Sequence, residues 1–224
     1  MKVLIICGGL ATRLGNITKK IPKSLIEIKK KKFIDYQLHW LKKNSFQNII
    51  LCTGHYNNQI KKHVGTGKKY GLKVEYSDDG KKLLGTGGSI KKALKKVKGI
   101  FLVLNGDSFL TFDPKKILKK YNKIKIPIMT ITRSSKSNVK IKNNLISEYK
   151  KKGLNNSNFI DYGMVLFDSK LIWPKIKNGK FDMETVYRKH IINKKISFLM
   201  TSKKYYEIGS IEGLEKFKKL KKYI

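Results

Sequence analysis

The sequence predicts an α/β protein in three layers, with helices on both faces of a mostly parallel, mixed central sheet. Three observations carry that expectation. The short apolar runs Val3–Cys7, Asn48–Thr53 and Ile100–Leu104 have the length and near-continuous hydrophobicity of strands buried on both faces. Segments with helical periodicity, Phe33–Lys43 and Ser89–Val97, lie between them. Such alternation is the pattern of βαβ crossovers, and 224 residues suffice for one domain of this kind.

In chain order, Val3–Cys7 ends at Gly8-Gly9, so a glycine loop runs from Gly8 to Leu14. Phe33–Lys43 places apolar residues at 33, 34, 38 and 41 on one helical face, and Asn48–Thr53 returns as a strand. Residues 58–64 read as a helix, Leu72–Tyr76 as a strand, and Ser89–Val97 as a helix with Ile90, Ala93, Leu94 and Val97 together. Ile100–Leu104 then leads into Asn105-Gly106-Asp107. The second half is denser in strands: Pro127–Thr132, Val139–Ile141, Leu145–Tyr149 and Phe159–Phe167, with a turn at Asn143-Asn144. Helices follow at Met183–Ile192 and Ile211–Tyr223, flanking a strand at Ile196–Met200. A mixed-sheet half closing over a nucleotide-type half is the expected organisation.

The formal charge is +36, from 51 basic and 15 acidic residues, which raises nucleic acid or an anionic membrane as partners. Only Arg13, Arg133 and Arg188 are arginines, and the 48 lysines run from Lys2 to Lys222. Dispersed lysine without arginine forks or interleaved aromatics is a solvating bias, and no specific nucleic-acid site is expected. With 40% hydrophobic residues the chain is not disordered. Cys7 and Cys52 sit inside apolar runs without metal-type partners, as in a reduced, cytoplasmic protein. The N-terminal apolar run is too short for a signal peptide, and no stretch approaches the roughly 20 residues of a membrane span.

Ligands of open parallel sheets gather beyond the carboxyl ends of the strands. Three loops there carry unusual chemistry. Gly8–Leu14 offers bare backbone to an anion and adds Arg13, with Pro22-Lys23-Ser24-Leu25 shortly after. Asn105-Gly106-Asp107 puts a scarce carboxylate directly after a buried strand, where Mg²⁺ and phosphate oxygens could share it. Leu84-Gly85-Thr86-Gly87-Gly88 opens a helix at Ser89, a terminus able to cradle a base or phosphate. By contrast, Gly65-Thr66-Gly67-Lys68 lacks Walker A spacing and reads as a turn. The four histidines show no zinc spacing, and no G-x-S-x-G elbow is present.

Together these segments resemble the nucleotidyltransferases that activate sugar 1-phosphates. Gly8–Leu14 with Pro22–Leu25 is similar to that family's GG-x-G-T-R-L and P-K-x-L signatures, and Leu84–Ser89 to its LGTGG loop. Leu104–Asp107 is similar to its N-G-D motif, Ile160–Gly163 to I-N-x-G, and Tyr206–Ser210 to D-I-G-T/S. The length resembles that of small members such as mannose- or heptose-1-phosphate guanylyltransferases and muramate-1-phosphate uridylyltransferases. The resemblance implies one Rossmann-like αβα domain over 1–224, with a nucleotide-binding half (1–110) and a sugar-phosphate-binding half (111–224). It further implies a cytoplasmic, Mg²⁺-dependent transfer from an NTP to a sugar 1-phosphate, yielding an NDP-sugar and pyrophosphate for surface polysaccharide, by a monomer or homodimer.

Carried over residue by residue, the resemblance gives Arg13 and Lys23 catalytic roles. It places Gly8, Gly9, Ala11, Thr12, Gly85 and Thr86 on the nucleotide, Lys151, Asp161 and Gly163 on the sugar phosphate, and Asp107 with Glu207 on the metal. Four positions depart from the family pattern: Ala11 for glycine, Glu207 for aspartate, Asp161 for asparagine, and Lys150 for the acid of an E-K pair. Asp161 exchanges a donor and acceptor for acceptors only. With Tyr162 it leaves open a cationic acceptor such as phosphocholine, used by a cytidylyltransferase. Asp78-Asp79-Gly80-Lys81, before the LGTGG loop, matches no base-reading pattern, so the base stays open. A nonspecific polyanion-binding protein is the reading from another class.

Overall fold

The structure, a computed structural model, describes residues 1–9, 14, 15, 18 and 20–220. The first half contains β1 (Lys2–Ile6), β2 (Glu27–Ile28), β3 (Lys31–Lys32), α1 (Phe33–Lys43), β4 (Asn48–Thr53), α2 (Asn57–Val64), β5 (Lys73–Asp78), α3 (Gly85–Ala93), β6 (Ile100–Asn105) and β7 (Ser108–Phe109). After it come α4 (Lys115–Ile124), β8 (Ile128–Arg133), β9 (Val139–Lys142), β10 (Leu145–Tyr149), β11 (Phe159–Asp168), α5 (Met183–Ile192), β12 (Ser197–Met200), β13 (Tyr206–Glu207) and α6 (Ile211–Lys218). Among the described residues nine strands form one sheet in the order β5-β4-β1-β6-β11-β8-β12-β10-β9. From β5 to β6 every pairing is parallel. β11 then runs antiparallel to β6 and β8, while β12 is parallel to β8.

Alternation along β1 divides the core into two layers. Val3 and Ile5 pack with Leu38 and Leu41 of α1, Ile60 of α2 and Ile117 of α4 on one face. Leu4 packs with Ile90 and Ala93 of α3 and Val186 of α5 on the other. Both faces are covered, which is why these strands read as continuous apolar runs.

A smaller third cluster joins β2, β7 and α6 around the fully buried ring of Phe217, whose centroid lies 5.3 Å from Phe33 and 5.4 Å from both Tyr36 and Phe109. Truncation of such a ring leaves a cavity and removes its edge contacts. Phe217→Ala is expected to cost about 3–5 kcal/mol by denaturant unfolding. A loss under about 1 kcal/mol would show that this cluster is peripheral to stability.

Several elements differ from the sequence expectation. Helix α4 lies outside the sequence expectation, although Ile117, Leu118, Tyr121 and Ile124 have helical spacing among lysines and Asn122. α3 begins at Gly85 rather than Ser89, so the glycine motif forms its first turn. α6 ends at Lys218 instead of continuing toward Tyr223, and residues 221–224 lie outside the described residues. The two-residue ladders β2–β3 and β7–β13 are too short for any periodicity to reveal. Among the described residues no helix is long and apolar enough to cross a membrane.

Candidate active site

A cavity of about 600 Å³ opens beyond the carboxyl ends of β1 and β6 and is walled on its far side by β10, β11 and the start of α5. The sheet order brings these ends together, because Ile6 is registered beside Asn105. The chain then turns at Gly106, where an added Cβ would stand 2.1 Å from the carbonyl oxygen of Ile6. Only glycine fits that approach. Gln37, buried on α1, donates through Nε2 to the carbonyls of Asn105 (2.9 Å) and Ser108 (2.8 Å), clamping the turn from behind. Sequence reasoning missed Gln37. Its signal was a polar residue on the same helical face as Ile34, Leu38 and Leu41.

Asp107 is thereby aimed into the cavity, where its Oδ2 accepts from Lys23 Nζ at 2.8 Å. Lys23 follows Pro22 in a single tight turn, Lys23–Leu25. The pair is largely shielded, with side-chain exposures of 17% for Lys23 and 28% for Asp107. The cation and the carboxylate neutralise each other. Cys7 also lines the wall, and burial, with Asp107 as the lesser cause, pushes its thiol up to about 12, so it stays protonated at neutral pH.

Asp107 is a hard oxygen donor facing open space, which fits Mg²⁺ held by one or two carboxylates and phosphate oxygens. Glu207 sits differently. Its strand β13 pairs with β7, and Ile208 N–H donates to the Asp107 carbonyl at 2.9 Å, so the backbones are adjacent. Its carboxylate, however, accepts from Gly209 N–H and Ser210 Oγ, both at 2.5 Å, at the start of α6. Glu207 is absent from the side chains lining the cavity. The expected joining of two carboxylates on one metal is therefore not displayed by these positions.

Near the end of β1 and the start of α3, Gly9 and Thr86 line the cavity. Gly8 packs against the backbone of Thr53 and Gly54, and Gly85 sits against Phe181. Ala11, Thr12 and Arg13 lie outside the described residues. The free helix terminus expected at the LGTGG segment is instead closed, because Gly87 N–H and Gly88 N–H both donate to the Phe181 carbonyl at 3.0 Å. Asp79 holds the approach to this helix, accepting from Leu84 N–H and Ser89 Oγ.

On the far side the lining is Asn138, Tyr149, Lys151, Asp161, Asp182, Glu184 and Tyr187. Asp161 sits at a register break between β11 and β8, where Gly163 takes φ +96°, a conformation that strains other residues. Its Oδ1 accepts from Gly163 N–H at 2.8 Å, and Asn138 Oδ1 accepts from Asp161 N–H at 2.9 Å. Lys151 Nζ reaches Asp182 Oδ2 at 2.8 Å. Tyr162 points elsewhere: it is fully buried, stacked edge-on to Phe112, and donates to the Lys204 carbonyl. The aromatic lining comes instead from Tyr149 and Tyr187, 4.6 Å apart. Sequence reasoning missed Tyr149, Asp182, Glu184 and Tyr187 because only the fold brings them together.

Burial raises Asp161 to about 6, since desolvation disfavours the charged carboxyl. A raised folded-state value means that the native state binds this proton more readily than the unfolded chain. Its contribution to stability is therefore present at low pH and is lost as pH rises through about 6. Asp161→Asn is expected to melt at higher temperature than the parent at pH 8 and to lose that advantage at pH 4. Identical shifts at both pH values would refute this titration.

Similarity picks out the part of this cavity that runs from Ile6 to Asn138, and leaves outside it the wall formed by Tyr149, Lys151, Asp161 and the start of α5. The family model described as Nucleotidyl transferase matches residues 2–143. The chain belongs to the nucleotidyl transferase family. This nucleotidyltransferase is 41% identical over 126 residues to the D-glycero-alpha-D-manno-heptose 1-phosphate guanylyltransferase of Campylobacter jejuni, a stretch covering 56% of this chain and 55% of that protein. It is 26% identical over 232 residues to the protein of the same name from Aneurinibacillus thermoaerophilus, with 100% of both chains aligned. Among solved structures, HddC from Yersinia pseudotuberculosis complexed with GMP-PN superposes with a TM-score of 0.81 at 26% identity, covering 96% of each chain.

Proposed function

We propose that the protein transfers a guanylyl group from GTP to a heptose-type sugar 1-phosphate, releasing pyrophosphate and an NDP-sugar that serves as a glycosyl donor for surface polysaccharide. The observation that carries this reading is the Lys23–Asp107 pair, facing Lys151 and Asp161 across one cavity. Two relatives named for this activity and a neighbour complexed with GMP-PN support the choice of base and acceptor.

A phosphate oxygen of the acceptor attacks the α-phosphorus in line, the bond to the bridging oxygen breaks, and pyrophosphate leaves. This chemistry requires position and charge neutralisation, with no covalent intermediate on the protein. Lys23 exchanges Asp107 for α-phosphate oxygens and stabilises the charge that develops there. Lys151 holds the acceptor phosphate, and Asp161 accepts from sugar hydroxyls. Asp107 would hold Mg²⁺, which would supply charge neutralisation to the triphosphate.

A second reading has its own observation. Tyr149 and Tyr187 beside Asp161 could receive an ammonium group, so phosphocholine with CTP remains the alternative pair. Pyrophosphate release with Mg²⁺, over a grid of NTPs against heptose, mannose, glucose and muramate 1-phosphates and phosphocholine, separates the two. Release confined to GTP with heptose 1-phosphate is the expected result. Release with CTP and phosphocholine would replace it, and silence with every pair would overturn both.

A further inference from the structure

Asp182 occupies the N-cap position of α5, where an aspartate ordinarily accepts from the first amides of its own helix. Its side chain makes no such bond. Its Oδ1 accepts from the backbone N–H (3.4 Å) and the hydroxyl (3.3 Å) of Thr86, while Oδ2 accepts from Lys151 Nζ at 2.8 Å. Thr86, at the start of α3, lies on one wall of the cavity and Lys151, just after β10, on another. We propose that Asp182 is a positioning residue that ties these two walls together through one carboxylate. The assignment rests on the nucleotidyl-transfer reading for its consequences, though not for its geometry.

The surroundings of Asp182 reinforce the tie. Phe181 N–H donates to the Leu84 carbonyl, and Met183 N–H donates to Thr86 Oγ1 at 2.9 Å, so residues 181–183 are laced to the start of α3 on both sides of Asp182. Glu184 Oε2 accepts from Lys151 N–H at 3.2 Å. Lys151 follows Lys150, so no acid adjoins it on the N-terminal side in sequence, and α5 provides one in space. Lys151 holds Asp182 below the usual carboxylate range, so the tie is charged at neutral pH. The Lys151 and Asp182 side chains are 59% and 45% exposed, and such pairs add little to stability. The ion pair instead removes freedom from a long side chain, so that ordering one wall lessens the entropy lost in ordering the other.

Two measurements test this. In the ligand-free protein, Lys151→Met is expected to shift the ¹⁵N–¹H resonance of Thr86 in the parent background and to leave it unmoved in an Asp182→Asn background. In turnover with GTP and heptose 1-phosphate, Asp182→Asn is expected to raise the acceptor KM about tenfold, with kcat within about threefold and the melting temperature within about 2 °C. Asp182→Glu should recover part of the KM. Equal Thr86 shifts in both backgrounds, or an unchanged acceptor KM, would overturn the proposal. Absence of turnover in the parent would count against the nucleotidyl-transfer reading alone, because the resonance experiment needs no substrate.

Discussion

Asp107→Asn is expected to lower kcat at least about 100-fold while the protein melts as a folded domain. The substitution preserves shape and removes charge. The turn that presents the side chain is set by Gly106 against Ile6 and by the two hydrogen bonds from Gln37, none of which involves the carboxylate. What is lost is the anionic oxygen that faces the cavity and pairs with Lys23. Comparison of kcat and melting temperature decides the matter. Near-parental turnover with Mg²⁺ would remove Asp107 from the metal role, and a collapsed melting transition would make its contribution structural.

Lys23→Met is expected to reduce kcat by about 10²–10³, with a smaller change in the nucleotide KM, because the ammonium acts mainly on charge developing at the α-phosphate. Ground-state binding retains the remaining contacts. A second consequence has the opposite sign. In the ligand-free protein Lys23 occupies the carboxylate that a divalent cation would use. Its removal should therefore tighten Mn²⁺ binding in the absence of nucleotide, as read by the loss of the free-ion electron paramagnetic resonance signal. Weaker Mn²⁺ binding in Lys23→Met would contradict the idea that Lys23 and metal compete for Asp107.

The legibility of the fold followed burial. β1, β4 and β6 are buried on both faces, so their apolar runs needed no tertiary information. α4 was legible in principle, since Ile117, Leu118, Tyr121 and Ile124 form an apolar stripe with lysines and Asn122 around it, the pattern of an amphipathic helix. The start of α3 was misplaced because Gly85, Gly87 and Gly88 are poor helix formers, and the Phe181 carbonyl that stabilises this turn lies more than ninety residues away in sequence. Within the cavity, Lys23, Asp107, Lys151 and Asp161 were accessible from local motifs. Glu207 was accessible too, yet its carboxylate serves the start of α6. Asp182, Glu184, Tyr149 and Tyr187 belong to no local pattern, since β10 and α5 bring them to the site only through the tertiary arrangement.

The most direct test of the central claim is ³¹P NMR of GTP and heptose 1-phosphate incubated with the enzyme and Mg²⁺. Guanylyl transfer predicts that the acceptor monoester signal is replaced by the two coupled resonances of an unsymmetrical diphosphate, with stoichiometric pyrophosphate. GTP breaking down to GDP and inorganic phosphate while the monoester signal persists would contradict it.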